Sequence, residues 1–194
     1  MDSTLQRCVG NANRFVVVDV ETTGVFNRDR VLEIAIVTLS MAGTIVDVYD
    51  TLILPGNKVD ATHIHGISTA MVQGAPTFKE IAGDIAERLH GACVVAHNLS
   101  FDARMLRLEY ERLGHQIDLT NGIDTMRAHR AKLHIACANF GIDLKGAHSA
   151  FGDARATAEL FLKVASRCSV GEAALTPSGL TRSGKVKSRQ AAHL

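Results

Sequence analysis

The first half of the chain is dominated by patterns typical of β-strands. Phe15 to Val18 are β-branched or aromatic and carry no charge, the composition of a strand buried on both faces. Val31–Leu39 and Thr44–Ile53 are rich in valine and isoleucine, and a short segment containing Gly43 joins them. This pattern predicts a hairpin, so three successive strands open the domain.

Helical periodicity replaces the strand pattern from residue 77 onward. Thr77 and Glu80 have the spacing of a capping box, and the apolar residues after them recur at helical spacing until Gly91. The later predicted elements are a short buried strand Ala92–Ala96, a helix Leu99–Leu113, a brief edge strand Gly122–Thr125, a helix Lys132–Phe140 and a helix Ser149–Ser166. Three strands followed by alternating helices and strands predict an α/β domain with a mixed sheet.

Length and composition indicate one globular domain with a polar segment at each end. The 194 residues can bury a sizeable core, and 46% hydrophobic with 21% charged residues is ordinary for such a domain. We predict a polar arm at 1–13, a folded domain at 14–169 and a basic tail at 170–194. The tail is rich in Gly, Ser, Thr and Lys, so its composition predicts disorder, and a tail that contacts nucleic acid is the alternative.

Charge and cysteine usage narrow the class of protein. The net charge is +1, and the tail supplies four basic residues, Arg182, Lys185, Lys187 and Arg189. The remaining chain is slightly acidic, so any affinity for nucleic acid must come from local patches or bound metal. The four cysteines are far apart and lack metal-ligand spacing. No run approaches the length of a membrane span, and the first thirteen residues lack a signal peptide's apolar segment. With these cysteines, we expect a cytoplasmic protein without a membrane partner.

Two acids interrupt the first strand. Asp19 and Glu21 are two residues apart, so their carboxylates project from the same face of the strand. Two like charges at the end of a core strand are unfavourable unless a positive group lies between them. A solvated pair of acids is the simpler interpretation. The pair indicates a functional site only if the chain supplies further acids and a base.

Two further acids and a histidine are candidates for the same site. Asp102 falls in the first turns of the helix that follows a buried strand, at the sheet edge where ligand sites of open α/β sheets gather. Asp153 falls in the first turns of the last helix, where the helix dipole favours a carboxylate. His148 precedes Asp153 by five residues, which on a helix would place the two about 140° apart. We therefore expect His148 in the loop before that helix, free to turn toward the acids.

Together these segments resemble a known family. Three motifs occur in order, FVVVDVETTG, VVAHNLSFDARML and AHSAFGDARATAELF, and a fourth segment, IHGIS, runs from Ile64 to Ser68. They resemble the DEDDh 3′–5′ exonucleases, whose best-known branch is the epsilon proofreading subunit of bacterial DNA polymerase III. The similarity covers Phe15 to Lys163. It implies a ribonuclease H-like fold, a five-stranded mixed sheet flanked by helices, and an exonuclease domain over 14–169.

The resemblance also implies which residues are catalytic. The family's four metal-binding acids correspond to Asp19, Glu21, Asp102 and Asp153, which are expected to bind two Mg²⁺ or Mn²⁺ ions. Its general base corresponds to His148. By this resemblance Asp19 bridges both ions, while Asp102 helps to hold the second one, often through water. Oxygen ligands suit such hard cations, and the ordinary pKa of histidine near 6.5 suits proton abstraction.

Four more residues are assigned to the substrate by the same resemblance. Thr22 is expected at the terminal 3′-OH, His65 and Asn98 in the nucleotide pocket, and Phe101 near the base. A zinc site at His63 and His65 is disfavoured, because two histidines two residues apart without nearby cysteines are more often structural. We expect His97 to pack beneath the helix.

The chain departs from the family pattern at three positions near the acids. Val20 lies between the first two acids, and Phe151 and Gly152 precede the last one, where Leu-Asp pairs are common. None of these departures removes a catalytic group. Phe151 and Gly152 bear on the loop that positions His148.

The resulting expectation is a metal-dependent exonuclease that removes nucleoside 5′-monophosphates from the 3′ end of DNA by two-metal-ion hydrolysis, in replication proofreading or DNA repair. The expected partners are a single-stranded or frayed 3′ end and a DNA polymerase subunit. One alternative is an exoribonuclease that acts on RNA or short oligonucleotides, which differs in how the pocket treats the 2′-OH. The other is a polymerase-associated binding subunit with a vestigial site, although no acid is lost.

Overall fold

The computed structural model describes residues 12–119 and 122–167. Within these ranges the strands are β1 (Arg14–Thr22), β2 (Val31–Ser40), β3 (Ile45–Leu52), β4 (Cys93–Ala96) and β5 (Ile123–Asp124). The helices are α1 (Thr62–His65), α2 (Thr69–Val72), α3 (Phe78–Leu89), α4 (Leu99–Arg112), α5 (Thr125–His129), α6 (Leu133–Asn139) and α7 (Ala150–Arg167). Most of the predicted N-terminal arm and the whole predicted tail lie outside the described residues.

The strands form one mixed sheet in the order β3-β2-β1-β4-β5. β1 is central, antiparallel to β2 on one side and parallel to β4 on the other. β2 pairs with β3 as an antiparallel hairpin, and β5 adds a short parallel strand at the far edge. The predicted α/β fold with a five-stranded mixed sheet flanked by helices is confirmed.

The two faces of β1 pack against different helices. Val16, Val18 and Val20 belong to a core cluster that contains apolar residues of α3 and α4. Phe15 and Val17 belong to a second cluster, formed with the fully buried alanines of α7. Small side chains let α7 lie close to the sheet. Because side chains alternate along a strand, Asp19 and Glu21 continue the series of Phe15 and Val17 and face α7.

Several predicted boundaries hold within a residue or two. The capping box before α3 is present, since the Thr77 N–H donates to Glu80 Oε2 over 2.7 Å. The hairpin, the short strand at residues 93–96 and the long helices also lie where the periodicity predicts them. In the described part of the chain, no helix combines the length and apolar composition needed to cross a bilayer.

One local prediction is wrong, and one short helix is not predicted. The sequence pattern around His63 predicts a loop, but the segment contains α1 and α2. Local hydrogen bonds close the first of these turns, because the Thr62 hydroxyl donates to Ile67 O over 2.9 Å. The predicted edge strand at 122–125 is present as β5, within one residue at each end. The unpredicted helix α5 follows it directly, because the Asp124 side chain accepts the N–H groups of Met126 and Arg127.

Candidate active site

The end of β1 has one free edge. β4 pairs with β1 only as far as Val17, whereas β2 follows β1 to Thr22. The backbone N–H of Val20 therefore has no strand partner on the β4 side, and it donates instead to Asp102 Oδ1 over 3.2 Å. This point, at the carboxyl end of the central strand and beyond its last pairing with β4, is the usual place for a ligand site in such sheets.

Three carboxylates converge above this point. Asp19 and Glu21 project from β1, and Asp153 projects from the first turns of α7. Oxygen atoms of Asp19, Glu21 and Asp153 all lie within 4.8 Å of one another. The structure thus brings together three of the four predicted acids.

Asp102 lies beside this group but not within it. It is 4% exposed, on the first turn of α4. The chain turns sharply into that helix at Asn98, whose φ is 82°. From there the Asp102 carboxylate reaches the free edge of β1, close enough for its charge to raise the pKa of Asp19.

The sequence interpretation missed a fifth carboxylate at the site. Glu33 of β2 is paired with Glu21 of β1, so both side chains lie on the α7 face of the sheet. Glu33 is 1% exposed, and its Oε2 accepts the N–H of Ala150 over 3.0 Å. The signal was visible in the sequence as a single charge within the apolar run VLEIAIV.

Burial and mutual repulsion raise the pKa values of the acids. Burial raises the pKa of Asp19 well above its usual range, and the charges of Asp102 and Asp153 raise it further. The pKa of Glu21 is raised to about 7, chiefly by burial and further by the charges of Asp153 and Glu33. Burial also raises the pKa values of Asp102 and Asp153, although hydrogen bonds from backbone N–H groups partly oppose this effect. The site therefore holds more negative charge than the protein itself compensates.

This repulsion predicts a pH-dependent stability. The pKa of Glu21 in the folded protein, about 7, exceeds its ordinary value of 4.5, so folding binds a proton. The binding of this proton to Glu21 stabilises the folded protein fully below about pH 4.5, and the stabilisation is lost as the pH rises through 7. Without metal, we expect the Tm measured by calorimetry to fall by roughly 5–10 °C between pH 5 and pH 8.

The matched variant for this prediction is Glu21→Gln, which should make the dependence of Tm on pH less steep because one of the titrating groups is gone. Mg²⁺ or Mn²⁺ should restore stability most at pH 8, where the carboxylates are ionised. A metal-free Tm that rises over this range in the unmodified protein contradicts the prediction.

His148 lies where the sequence places it, in the loop before α7. It is exposed, and its φ of 62° is in the left-handed region that few non-glycine residues adopt. The His148 N–H donates to Asp153 Oδ2 over 3.4 Å. One hydrogen bond therefore links the loop that carries the histidine to an acid of the cluster. A left-handed backbone conformation at a non-glycine residue is also typical of functional sites.

Gly152 lets this loop sit directly on α7. A Cβ at position 152 would meet Gly146 C at 2.7 Å and Lys145 O at 2.8 Å, both backbone atoms. Any side chain here must displace the loop that leads to His148. The departure from the family pattern at Gly152 is thus a condition for the loop's position.

We expect Gly152→Ala to lower both stability and turnover. Overpacking against backbone typically costs about 1–3 kcal/mol, and a displacement of about 1 Å at a catalytic group costs about 10²-fold in rate. Thermal unfolding and steady-state kinetics measure the two effects. Gly83→Ala is the control, because nothing lies within 4 Å of a Cβ there and alanine favours the helix. A Gly152→Ala protein that is as stable and active as the control contradicts the prediction.

The predicted nucleotide-pocket residues differ in their surroundings. The Thr22 hydroxyl donates to Gly24 O over 2.7 Å, within the turn that follows β1. His65 is buried, its Nδ1 accepts the Ile67 N–H, and its Nε2 lies 3.1 Å from Asp60 O. Because one ring nitrogen accepts, the other carries the hydrogen and donates. His65 therefore stabilises α1, and its contact with a nucleotide stays a prediction.

Asn98 and Phe101 lie at the start of α4, next to Asp102. The Asn98 backbone N–H donates to Asp124 Oδ1 over 3.1 Å, and Asn98 Oδ1 accepts a hydrogen bond from the Ser100 hydroxyl. Phe101 is partly exposed, with the Arg104 guanidinium 5.5 Å from its ring centre. Both remain predicted substrate residues. His97 packs at the end of β4, with its ring nitrogens 2.9 Å from Thr125 Oγ1 and 3.0 Å from Ala131 O.

The cluster fits a hard divalent cation. Its donors are carboxylate oxygens alone, the ligand type that Mg²⁺ and Mn²⁺ prefer. Asp153 Oδ1 is buried and has no hydrogen-bond partner among the described residues. A buried carboxylate oxygen without a partner, beside two further carboxylates, is satisfied by a bound cation.

Comparisons with known proteins show the family of this chain. The exonuclease family model RNase_T matches residues 16–161. The DNA polymerase III PolC-type of Caldanaerobacter subterraneus is 34% identical over 161 residues, which cover 77% of this chain and 11% of that protein. A DNA polymerase III subunit epsilon-like protein of Rhodobacter capsulatus is 34% identical over 186 residues, which cover 89% of this chain and 25% of that protein. The chain thus spans a quarter or less of the length of these relatives.

Solved structures share the fold. Escherichia coli exonuclease I in complex with a dA16 oligonucleotide superposes with a TM-score of 0.70 at 18% identity, over 80% of this chain and 41% of that chain. The nuclease domain of 3′hExo, a DEDDh family member bound to rAMP, has a TM-score of 0.68 at 15% identity, over 80% of this chain and 93% of that chain. With the family model matching most of the chain and the acids in place on this fold, the chain belongs to the exonuclease family, as its DEDDh-like motifs predict.

Proposed function

We propose that this chain is a metal-dependent 3′–5′ exonuclease that removes nucleoside 5′-monophosphates from the 3′ end of DNA. The observation that carries the proposal is the convergence of Asp19, Glu21 and Asp153 within 4.8 Å, with the His148 loop bonded to one of them. Membership of the exonuclease family supports the reaction type.

Asp19, Glu21 and Asp153 would hold one divalent cation, and Asp102 would help Asp19 to hold a second, as Mg²⁺ or Mn²⁺. Such cations supply Lewis acidity to the phosphodiester and favour ionisation of the attacking water. Without a cation the acidic cleft repels phosphate, so metal and nucleic acid bind together.

The chain's own residues provide proton transfer and positioning. His148 takes the proton of the attacking water at a ring nitrogen, which requires the neutral imidazole. The bond between the His148 N–H and Asp153 holds the loop against the acids, so the histidine and the carboxylate move as one unit. In this proposal the residues that contact the terminal nucleotide are Thr22, His65, Asn98 and Phe101.

DNA is the proposed substrate because two relatives at 34% identity are named as DNA polymerase III proteins. We accordingly propose a role in replication proofreading or DNA repair, on a single-stranded or frayed 3′ end and with a polymerase subunit as partner. A cytoplasmic location stays a prediction of the sequence.

A comparison of DNA and RNA single strands tests the proposal. DNA and RNA single strands of equal sequence, labelled at the 5′ end, are incubated with Mg²⁺ or Mn²⁺ and resolved as ladders. We expect stepwise shortening of the DNA, slower shortening of the RNA, and no reaction in EDTA. Faster cleavage of RNA identifies the exoribonuclease instead, activity in EDTA refutes the metal mechanism, and binding without cleavage identifies a vestigial subunit.

A further inference from the structure

Glu33 lies where a charged residue is unexpected. Its neighbours in β2, Leu32 and Ile34, are fully buried apolar residues, and Glu33 itself is 1% exposed. It pairs with Glu21 across β1 and β2 and so points toward α7 and the acid cluster. Charged side chains are almost never buried this deeply unless they bind a partner group.

The partner is the beginning of α7. Glu33 Oε2 accepts the N–H of Ala150, the first residue of that helix, over 3.0 Å. The first N–H groups of a helix have no acceptor within the helix, so a carboxylate here satisfies one of them and interacts favourably with the helix dipole. The bond attaches the start of α7 directly to the central part of the sheet.

This attachment point lies between two functional residues. His148 is two residues before Ala150, and Asp153 is three residues after it. Asp153 and His148 are bonded to each other, and Gly152 packs under the same loop. The height of α7 above β1 therefore sets the positions of both residues relative to Asp19 and Glu21.

A carboxylate is an electrostatically unfavourable choice for this attachment. The negative charge of Glu33 raises the pKa values of Asp19, Glu21 and Asp153. A neutral acceptor would satisfy the same N–H without adding charge to an acidic site. The charge of Glu33 therefore does not stabilise the metal-free fold, and its place between His148 and Asp153 explains the acceptor that reaches Ala150 rather than the charge.

We propose that Glu33 is a positioning residue of the exonuclease reaction, which holds the start of α7 so that His148 and Asp153 stand in register with Asp19 and Glu21. This inference rests on the proposed function. Glu33 acts through the Ala150 N–H rather than on the substrate or on a cation.

Two conservative variants separate the effect of the length of the Glu33 side chain from the effect of its charge. Glu33→Gln keeps an acceptor at the same distance but loses the charge, whereas Glu33→Asp keeps the charge but is one methylene too short to reach Ala150. We expect Glu33→Gln to keep kcat within about fivefold of the unmodified protein, and Glu33→Asp to lose about 10²-fold in kcat with KM nearly unchanged. Mn²⁺ affinity, measured by calorimetry without nucleic acid, should stay within about threefold in Glu33→Gln, whereas Glu33→Asp should bind Mn²⁺ more weakly because it displaces the ligand Asp153.

Amide hydrogen exchange at Ala150 provides a readout independent of activity. Exchange should be slow in the unmodified protein and in Glu33→Gln, and markedly faster in Glu33→Asp, while amides of β1 stay protected. Glu159→Ala is the control, since Glu159 lies farther along α7 and pairs with Lys163 over 3.7 Å. The control should match the unmodified protein in kcat and in exchange at Ala150.

Three results would overturn the inference. If Glu33→Gln loses as much activity as Glu33→Asp and also binds Mn²⁺ at least tenfold more weakly, the charge of Glu33 acts on the cations. If Ala150 exchange accelerates in Glu33→Asp but kcat is unchanged, the bond is structural only. If the unmodified protein cleaves no nucleic acid, the proposed function fails; the exchange result then shows separately whether Glu33 holds α7.

Discussion

Replacing Asp19 by asparagine is expected to abolish turnover while making the metal-free domain more stable. Asp19 is central to the cluster, and losing one cation ligand removes several kcal/mol of transition-state stabilisation, at least about 10³-fold in rate. Burial and neighbouring acids raise the pKa of Asp19, so its ionised form opposes folding and the neutral amide does not. At pH 8 in EDTA the variant should therefore melt several degrees above the unmodified protein, by calorimetry.

This pairing of lost activity with gained stability separates a functional role from misfolding. Asp84→Asn is the control, because Asp84 is an exposed acid on α3, which packs on the face of the sheet away from the cluster. It should leave both turnover and Tm unchanged. Turnover of Asp19→Asn within tenfold of the unmodified protein would argue against a two-metal site, and a lowered Tm would attribute its inactivity to damage of the fold.

Removal of the His148 ring is expected to cost about 10²–10⁴ in kcat near neutral pH. A general base must be neutral to accept a proton, so turnover of the unmodified protein should fall at low pH. The His148→Ala protein should lose that low-pH limb of its rate profile. Its Mn²⁺ affinity should change little, because all the carboxylates remain.

The backbone conformation at His148 calls for a second variant. Its φ of 62° is less strained for asparagine than for alanine, so His148→Asn removes the ring with a smaller disturbance of the loop. The two variants should show similar kcat. His134→Asn, at an exposed position on α6, is the control. Loss of metal in the His148 variants would identify a ligand, and full activity would place the base elsewhere.

Much of the fold could be predicted because its elements are locally encoded. The apolar run Phe15 to Val18 has the composition of a buried strand, and Thr77 with Glu80 encodes the start of α3 through bonds within one turn. The parity of Asp19 and Glu21 along β1 follows from the pleat alone. Such features need only neighbours in sequence, so the pattern of residues reports them directly.

The features that were missed depend either on the pairing of separate strands or on local side-chain hydrogen bonds that periodicity does not show. Glu33 reads as one polar residue in a strand until the pairing of β2 with β1 places it opposite Glu21. The conversion of residues 62–65 into a short helix depends on the Thr62 and His65 side chains, which bond to nearby backbone groups in a way that periodicity does not show. The start of α5 at Asp124 likewise comes from a cap.

The sequence by itself determined the family, the order of the strands and of the four longer helices, and the residue types of the site, because these follow from periodicity, parity and motif spacing within single segments. Only the tertiary structure decided which carboxylates meet. It places Asp153 beside Asp19 and Glu21, leaves Asp102 behind the free edge of β1, and adds Glu33 beneath the start of α7. The physical reason is that packing of α7 on the sheet and burial of the acids set distances and pKa values, and both depend on segments more than 100 residues apart along the chain.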